Sequence, residues 1–208
     1  MNICLPTIKL GNLILREIIP DDYYDYYIIG KDIETVKHLN WGPFTNPNEA
    51  LWVITNIFYK RPEMGLPIGY AIVMNGKMIG AIDYHTYNQM YNSIEIGYVL
   101  NKDYWGKGIM PRCLKAVIDV GFNYLGYSKI EVGHTASNHQ SRRVILKCGL
   151  KYEYSKMVQM KNEEYELGYF YSIYRHEYKG GLLWLLNQRE HMMFYQMNLV
   201  AGQSLKIQ

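Results

Sequence analysis

The chain has 208 residues and a mass of 24.5 kDa, which is enough for one domain with a hydrophobic core. Its 49% hydrophobic share excludes a disordered chain, and its net charge of +3 is too weak to indicate nucleic-acid binding, although it suits a phosphate-rich ligand. Its 3 scattered cysteines form no C-x-x-C pair, so neither a disulfide framework nor a zinc site is expected.

The N-terminus has no basic stretch followed by a long apolar run, which is the pattern of a signal peptide. No apolar segment approaches the roughly 20 residues that a membrane helix needs. We therefore expect a soluble, cytoplasmic protein with no membrane partner.

The first part of the chain predicts a hairpin followed by short helices. Residues 8–17 are typical of a strand or hairpin arm that turns at Gly11-Asn12. Asp21 and Asp22 are expected to cap a helix over residues 23–29, and a second short helix follows over 33–39. Pro47-Asn48-Glu49 then opens a helix from about residue 50 to 59.

Three strands are predicted in the middle of the chain. Residues 69–74 and 78–84 flank Asn75-Gly76, a dipeptide typical of a two-residue hairpin turn. Residues 85–92 are expected to form a turn, and residues 93–100 the next strand. Because side chains alternate along a strand, this last one has two distinct faces. One face carries Ile94, Ile96, Tyr98 and Leu100, and the other carries Glu95, Gly97 and Val99.

Glu95 is the best candidate for a general base. A carboxylate flanked by apolar residues is costly unless it is solvated, paired or protonated, and a catalytic carboxylate fits this situation. A carboxylate that simply reaches solvent or a lysine is an equally weighted alternative. Asp83 and His85, at the end of the neighbouring strand, are weaker candidates.

A glycine-bearing loop separates this strand from a helix predicted over residues 112–125. Gly106 and Gly108 allow a sharp turn and a close approach of a ligand to backbone N–H groups. Pro111 is expected at the first helical position, because the N–H of that position, which proline lacks, would have no helical partner. The helix start favours a phosphate. The spacing matches neither a P-loop nor a dinucleotide fingerprint, and a solvated basic turn without a ligand is the alternative.

The last part of the chain predicts a strand, a helix and a hairpin. The strand spans residues 129–135, and the helix begins near residue 137 and ends at Gly149. A hairpin of residues 151–160 and 164–174 follows. Cys148 is expected to pack the helix end rather than to act as a nucleophile.

Residues 95–150 resemble the GNAT superfamily of acyl-CoA-dependent N-acyltransferases, and within it the RimJ/RimL-like branch. The resemblance rests on E-I-G-Y at residues 95–98, on Asn138 with Ser141 as N-x-x-S, and on K-C-G-L at residues 147–150. The segment L-R-E at residues 15–17 fits the family's opening strand, and the resemblance covers roughly residues 8–178.

The resemblance implies the GNAT fold. This is an α/β (α+β-like) domain with a mixed, mostly antiparallel twisted sheet and helices on both faces. In its central β-loop-α-β unit, the strands 95–100 and 129–135 would be parallel neighbours that splay apart and admit the pantetheine arm. One GNAT domain is implied over residues 1–178. Residues 179–208 would form a C-terminal extension, in which Leu182, Leu186 and Met193 are spaced to share a helical face.

The resemblance implies an N-acetyltransferase that moves an acetyl group from acetyl-CoA directly to a primary amine, without a metal. The amine is a protein N-terminus or a small molecule. Glu95, through water, would remove the amine's proton, an N–H near Tyr98 would stabilise the oxyanion, and Ser141 would assist the leaving thiolate. Asn138 would orient the pantetheine or cap its helix. The implied cofactor contacts are Tyr98, Val99, Leu100, Trp105, Gly106, Lys107, Gly108, Ile109, Met110, Asn138 and Ser141.

The sequence departs from the family pattern at three positions. Trp105 replaces the usual polar residue of the loop, and the bulkier Met110 replaces the usual small one. Backbone N–H groups make most phosphate contacts in the family, so binding need not be lost. Ile145 stands where many members place a tyrosine that serves as general acid, so that acid is absent.

Other functions stay open. A CoA-binding sensor or interaction module on the same fold would have no turnover. A nucleotide-phosphate enzyme is disfavoured by the loop spacing. The expected partners are acetyl-CoA and an amine, with no nucleic acid, and the protein is expected to be a monomer or homodimer. Aromatic residues of the early helices are candidates for an acceptor pocket, with core packing the commoner role. They are Tyr23, Tyr24, Tyr27, Trp41, Phe44 and Trp52.

Overall fold

The computed structural model describes residues 3–180, apart from the side chain of Asn162. Its 8 strands form one sheet in the order β1-β2-β3-β4-β5-β6-β8-β7, and β5 with β6 is the parallel pair among the described strands. The predicted mixed, mostly antiparallel sheet is confirmed, whereas the predicted helical face of residues 182–193 lies outside the described residues. The strands are β1 Ile8–Leu10, β2 Leu13–Glu17, β3 Tyr70–Met74, β4 Lys77–Asn88, β5 Ser93–Leu100, β6 Lys129–Thr135, β7 Lys151–Gln159 and β8 Tyr165–Tyr174.

Helices cover both faces of the sheet, as the resemblance implies. The helices are α1 Tyr23–Gly30, α2 Ile33–Val36, α3 Pro47–Val53, α4 Ile109–Asn123 and α5 His139–Lys147. A π-helical turn, Ile54–Phe58, continues α3. The α4 helix packs into a large apolar cluster on one face, and α1 and α3 pack into a smaller cluster on the other.

The alternation of β5 separates these two clusters. Ile96 and Leu100 belong to the large cluster with α4, and Val99 belongs to the smaller cluster with α1. The Tyr84 hydroxyl donates a 2.6 Å hydrogen bond to the Val117 carbonyl and so ties β4 to α4. The strand that carries the candidate base is therefore held between two packed layers.

The start of α1 differs from its prediction. Asp22 stands at the N-cap position but makes no side-chain cap hydrogen bond. It is 5% exposed, and its carboxylate accepts bonds of 2.7 and 2.6 Å from Arg16 and one of 2.9 Å from the Ile19 N–H. The prediction that Asp22 caps this helix was wrong, because a bidentate charge-assisted pair is the stronger use of a buried carboxylate.

The end of β4 also differs. The turn predicted over residues 85–92 is shorter, because β4 continues to Asn88 and pairs with β5 up to the Asn88–Ser93 pair. The register shifts between Tyr84 and Thr86, which leaves His85 as the extra residue of a β-bulge. A bulge changes the direction of side chains, and here it brings His85 beside Gly97 of β5. A Cβ built on Gly97 would lie 2.9 Å from the His85 imidazole.

The parallel pair β5–β6 is joined over only part of its length. The ladder consists of Ser93–Lys129, Ile94–Ile130 and Glu95–Glu131, and then it stops. Beyond this point β5 runs on to Leu100 and β6 runs on to Thr135, each still paired with its other neighbour. The two strands therefore open like a wedge, which confirms the splaying that the resemblance implied.

Candidate active site

The loop after β5 leads directly into α4. Gly106 and Gly108 adopt φ angles of +74° and +69°, a left-handed conformation that favours glycine. The α4 helix begins at Ile109 with Gly108 as its N-cap. Pro111 is thus the third helical residue and not the first, as predicted; it still fits, because the N–H of that position also has no helical partner.

The glycines leave the mouth of this loop open. Apart from the glycine itself and its two chain neighbours, no heavy atom of residues 3–180 lies within 4 Å of a Cβ built on Gly106 or Gly108. Backbone N–H groups at a helix start carry partial positive charge, and an open approach lets an anion reach them. The loop therefore has the geometry of a phosphate-binding turn.

Trp105 and Met110, the departures from the family pattern, have structural partners. The Trp105 indole N–H donates a 2.7 Å hydrogen bond to the Leu100 carbonyl, which ties the loop to the end of β5. Met110 is 5% exposed and packs in the large cluster. Lys107 turns back on the loop, with its ammonium 2.8 Å from the Asp103 carbonyl oxygen.

The first cavity, which we call the cofactor-side cavity, has a volume of about 340 Å³. It extends from the phosphate-binding turn to α5. It brings together all of the cofactor contacts that the resemblance implied except Lys107. Lys107 is not among the lining residues, and its ammonium makes the contact with Asp103 described above.

Sequence reasoning missed the contribution of α5 to this cavity. Gln140, Val144 and Lys147 are spaced as one helical face, and all three line the cavity together with Arg143. The helical period of residues 139–147 could have predicted this face. Arg143 and Lys147 add positive charge, which suits an anionic ligand.

The second cavity, which we call the acceptor-side cavity, has a volume of about 230 Å³ and lies in the wedge between β5 and β6. Glu95, His85 and Phe170 are among the side chains that line it. It shares Tyr98, Asn138, Ser141, His38 and Leu39 with the cofactor-side cavity. The two cavities therefore meet beside the expected catalytic serine.

Three side chains form this junction. The Tyr98 hydroxyl and the Ser141 hydroxyl lie 2.7 Å apart, and the Asn138 side-chain oxygen accepts a 3.0 Å hydrogen bond from the Ser141 N–H. Asn138 is therefore a helix cap, one of its two expected roles. Burial raises the pKa of Tyr98, so its hydroxyl keeps its proton at neutral pH. Ile145 is fully buried in the large cluster and lines neither cavity.

Backbone groups of β5 also face the wedge. A Cβ on Gly80 would lie 2.5 Å from the Val99 carbonyl oxygen, so this carbonyl points towards β4. Peptide groups alternate along a strand, and those of Tyr98 and Leu100 therefore point towards the wedge. The Leu100 carbonyl is taken by Trp105, which leaves the peptide groups of Tyr98 facing the junction. The polar backbone groups of Val99 face β4, although Val99 is among the residues that line the cofactor-side cavity.

Glu95 lines the acceptor-side cavity as expected of a base. Within residues 3–180 it makes no ion pair within 4 Å. Burial raises its pKa, His85 and Lys156 oppose this rise, and Glu131 adds to it. A carboxylate whose pKa is raised takes up a proton more readily near neutral pH, which suits a general base.

Two other expectations for this region are corrected. Asp83, a weaker candidate for the base, is 9% exposed and pairs with Arg61 at 3.1 Å, so its role is structural. None of the six early aromatics lines either cavity. Trp41 and Phe44 instead stack with ring centroids 5.2 Å apart, and Trp52 is 57% exposed. Phe170, in the distant β8, supplies the aromatic wall, which no local pattern in the sequence indicated.

Within residues 3–180, no group of three or more histidine, cysteine, aspartate or glutamate side chains is arranged to hold a metal ion. No helix in the same part of the chain is long and apolar enough to cross a membrane. Cys148 is 9% exposed, and burial raises its pKa to about 11, which agrees with a packing role.

Residues 12–151 match the family described as "Acetyltransferase (GNAT) domain". The chain is 27% identical over 183 residues to the uncharacterized N-acetyltransferase p20 of Bacillus licheniformis, covering 85% of this chain and 100% of that protein. It is 24% identical over 159 residues to the ribosomal-protein-serine acetyltransferase of Escherichia coli, with coverage of 75% and 81%. It is 22% identical over 136 residues to the spermidine N(1)-acetyltransferase of the same species, with coverage of 65% and 73%.

Solved structures share the fold. A GNAT acetyltransferase from Bacillus anthracis superposes with a TM-score of 0.70 at 23% identity, covering 83% of this chain and 100% of that one. RimL, a ribosomal L7/L12 α-N-protein acetyltransferase in complex with coenzyme A, gives a TM-score of 0.71 at 18% identity, with coverage of 81% and 98%. The chain therefore belongs to the GNAT acetyltransferase family, is an acyltransferase, and has the ribosomal-protein acetyltransferases of the RimJ/RimL-like branch among its relatives.

Proposed function

We propose that this protein transfers the acetyl group of acetyl-CoA directly to a primary amine. The observation that carries the proposal is the junction of the two cavities at Tyr98, Asn138 and Ser141. A thioester held from the cofactor side would reach this junction with its reactive carbon facing the acceptor side. An amine in the acceptor-side cavity would then lie between that carbon and Glu95.

The cofactor would be held mainly by backbone groups. The pyrophosphate would bind the N–H groups of the open loop at Gly106 and Gly108, and the pantetheine arm would enter the wedge beside Tyr98. Arg143 and Lys147 of α5 would add attraction for the phosphates. The coenzyme A in the RimL structure supports this cofactor for the family.

The acceptor amine must lose a proton before it can attack, because a primary amine is largely protonated at neutral pH. Glu95 would take this proton, through water, and its raised pKa suits that task. Attack on the thioester carbonyl places negative charge on its oxygen. The Tyr98 N–H, which faces the wedge, would stabilise that charge.

The leaving thiolate of CoA needs a proton or a hydrogen-bond donor. Ser141 and Tyr98 offer hydroxyls 2.7 Å apart at the junction, and the Tyr98 hydroxyl keeps its proton at neutral pH. This pair would take the place of the tyrosine acid that Ile145 replaces. Holding both reactants at the junction would lower the entropic part of the barrier.

The acceptor is a primary amine of a protein N-terminus or a small molecule. Both classes occur among the named relatives: one is called a ribosomal-protein-serine acetyltransferase and another a spermidine N(1)-acetyltransferase. The acceptor-side cavity is open to both, since it lies in a wedge at the edge of the paired region of β5 and β6.

The test combines ligand-induced stabilisation with turnover. Acetyl-CoA and CoA should raise the melting temperature, by an amount equivalent to about 2.7 kcal/mol at a hundredfold excess over Kd, whereas ATP and NAD should not. Release of CoA thiol in the presence of an amine panel should then identify acceptors. Stabilisation by CoA without thiol release for any amine would favour the CoA-binding sensor. No stabilisation by CoA would overturn the assignment of the cofactor-side cavity.

A further inference from the structure

Lys156 of β7 contacts Phe170, the aromatic residue that lines the acceptor-side cavity, although Lys156 itself is not one of the lining residues. The Lys156 ammonium stands 4.6 Å from the centroid of the Phe170 ring and 5.9 Å from that of Tyr154. The two rings are stacked, with centroids 4.8 Å apart and planes 4° from parallel. An ammonium held over such rings makes a cation–π contact.

The Phe170 ring is positioned by two glycines. A Cβ on Gly133 would lie 2.9 Å from the ring and 3.4 Å from Glu95 Oε1, and a Cβ on Gly168 would lie 3.2 Å from the ring. Side chains at these positions would push Phe170 away from the carboxylate. The glycines thus allow an aromatic face and a carboxylate to lie close together.

Glu95 is incompletely neutralised in this arrangement. Lys156 exerts an electrostatic effect on it, but no cation of residues 3–180 lies within ion-pair distance of its carboxylate. Lys156 itself is exposed, so it can leave the rings for solvent at little cost. A half-buried carboxylate beside an aromatic face is a site that favours an ammonium ion.

We propose that Phe170 and Glu95 form an ammonium subsite for the acceptor, and that Lys156 occupies its aromatic part until an aliphatic alkylammonium substrate displaces it. This inference rests on the proposed function. The lysine side chain is itself an alkylammonium with a four-carbon stem, and its fit over Phe170 and Tyr154 indicates the class of substrate. Linear alkylamines and diamines have this shape, whereas a peptide N-terminus carries its amine on a branched carbon and an amino sugar carries it on a ring.

The experiment compares acceptors in the wild-type protein, in Lys156→Met and in Lys156→Arg. The probes are 1-aminobutane, 1,4-diaminobutane, a peptide with a free N-terminus, and glucosamine. Methionine keeps much of the length of the lysine but cannot compete as a cation. We expect Lys156→Met to lower the KM for the two alkylamines about fivefold, and Lys156→Arg to leave it near the wild-type value.

The assay pH separates substrate competition from an effect on the base. Glu95 faces His85 of β4, Glu131 of β6 and Lys156 of β7, and Thr86 hydrogen-bonds to it. Removing the lysine removes a positive charge, so Glu95 would ionise at higher pH in Lys156→Met. The KM values are therefore compared on the high-pH plateau of each variant's kcat profile, where the base is fully ionised.

The outcomes distinguish this inference from the proposed function. A fall in KM for the alkylamines in Lys156→Met, with the Kd for CoA unchanged, would support the ammonium subsite. An unchanged or higher KM in that variant, with the wild type active on amines, would overturn the subsite while leaving the proposed function in place. Phe170→Leu provides a second check and should raise the KM for the alkylamines; an unchanged KM would contradict the aromatic part of the subsite. Absence of thiol release from the wild type with every amine would instead count against the proposed function.

Discussion

The cofactor-side cavity and the acceptor-side cavity differ in the backbone groups and side chains that line them. On the cofactor side, one continuous segment supplies the end of β5, the glycine loop and the first turn of α4, where backbone N–H groups are open to a ligand, and one face of α5 adds side chains. On the acceptor side, Glu95, His85, Phe170 and their neighbours are side chains from β4, β5, β6 and β8.

This difference has a chemical consequence. A site made of backbone groups tolerates changes of side chain, and Trp105 and Met110 were accommodated by a hydrogen bond to Leu100 and by core packing. A site made of side chains changes its chemistry with each substitution. We therefore expect cofactor binding and acceptor recognition to respond separately to mutation.

The largest effect is expected on the acceptor side. Glu95→Gln should lower kcat by about a hundredfold or more, because the amine loses its general base. The Kd for CoA, measured by thermal shift, should stay within about twofold, since the backbone groups of the other cavity are untouched. Glu131→Gln is a matched control, because Glu131 is the β6 partner of Glu95 in the ladder and does not line the cavity. An unchanged kcat in Glu95→Gln would place the base elsewhere.

The same residue should control the pH dependence. Because burial raises the pKa of Glu95, the rate should fall with decreasing pH through a value above the ordinary glutamate pKa of about 4.3. The raised pKa also means that the folded state favours the protonated carboxyl of Glu95. The contribution of this preference to the free energy of unfolding is present at low pH and is lost as pH rises through the folded pKa. Glu95→Gln should therefore unfold at a higher urea concentration than the wild type at pH 8. Equal midpoints at that pH would indicate that the carboxylate is not disfavoured by the fold.

The next effect is expected in the cofactor-side loop. Gly108→Ala places a Cβ in the open mouth of the turn, at a φ of +69°, and should weaken CoA binding about tenfold. Gly126→Ala is its control, since Gly126 has a φ of +79° and an equally open surrounding but does not line the cavity. Both should lose about 1 kcal/mol of unfolding free energy through backbone strain, measured in urea. Equal CoA affinities would contradict the phosphate role of the loop.

A smaller effect is expected at the junction. Ser141→Ala removes the 2.7 Å contact with the Tyr98 hydroxyl and should lower kcat about three- to tenfold, the usual value of one neutral hydrogen bond. Tyr98→Phe removes the other half of the contact. If the two hydroxyls act as one unit, the double variant should be no slower than the worse single variant. Fully additive losses in steady-state kinetics would show that they act independently.

The smallest effect is expected at Trp105. Trp105→Phe loses the indole hydrogen bond to the Leu100 carbonyl and should lower the free energy of unfolding by about 1 kcal/mol, measured by urea denaturation. Trp52→Phe is the control, because Trp52 is 57% exposed and should change stability by less than about 0.5 kcal/mol. Equal losses in the two variants would show that the Leu100 bond contributes nothing specific.

Sequence reasoning predicted the cofactor side better than the acceptor side for a physical reason. The loop glycines, the strand before them and the helix after them are consecutive, and their backbone conformations follow from local rules. Phe170 reaches Glu95 only because β8 pairs with β6, and that pairing is not encoded in any local pattern. His85 enters the site through a bulge in a segment that looked like a turn.

Asp22 shows the same limit on a smaller scale. The N-cap preference of aspartate predicted that Asp22 caps α1. Its carboxylate instead accepts two hydrogen bonds from Arg16 of β2. The two-residue turn at Asn75-Gly76 was correctly predicted from turn chemistry. The fold class and the parallel pair β5–β6 were correctly predicted through the family resemblance. Local rules do not include partners that are distant in sequence and that compete for the same polar side chain.

The early end of the β5–β6 ladder places two strand edges inside the sheet. Exposed strand edges can pair with a strand of another molecule, which leads to aggregation. Here the gap narrows at Glu95 to the spacing of a paired sheet, about 4.8 Å, and α4 connects the two strands, so a second polypeptide strand cannot lie along the full gap. A thin, flexible chain that carries amide groups can still enter from the wide end. The molecule thus offers unpaired backbone to a slender chain, while a full β-strand of another molecule cannot add along these edges.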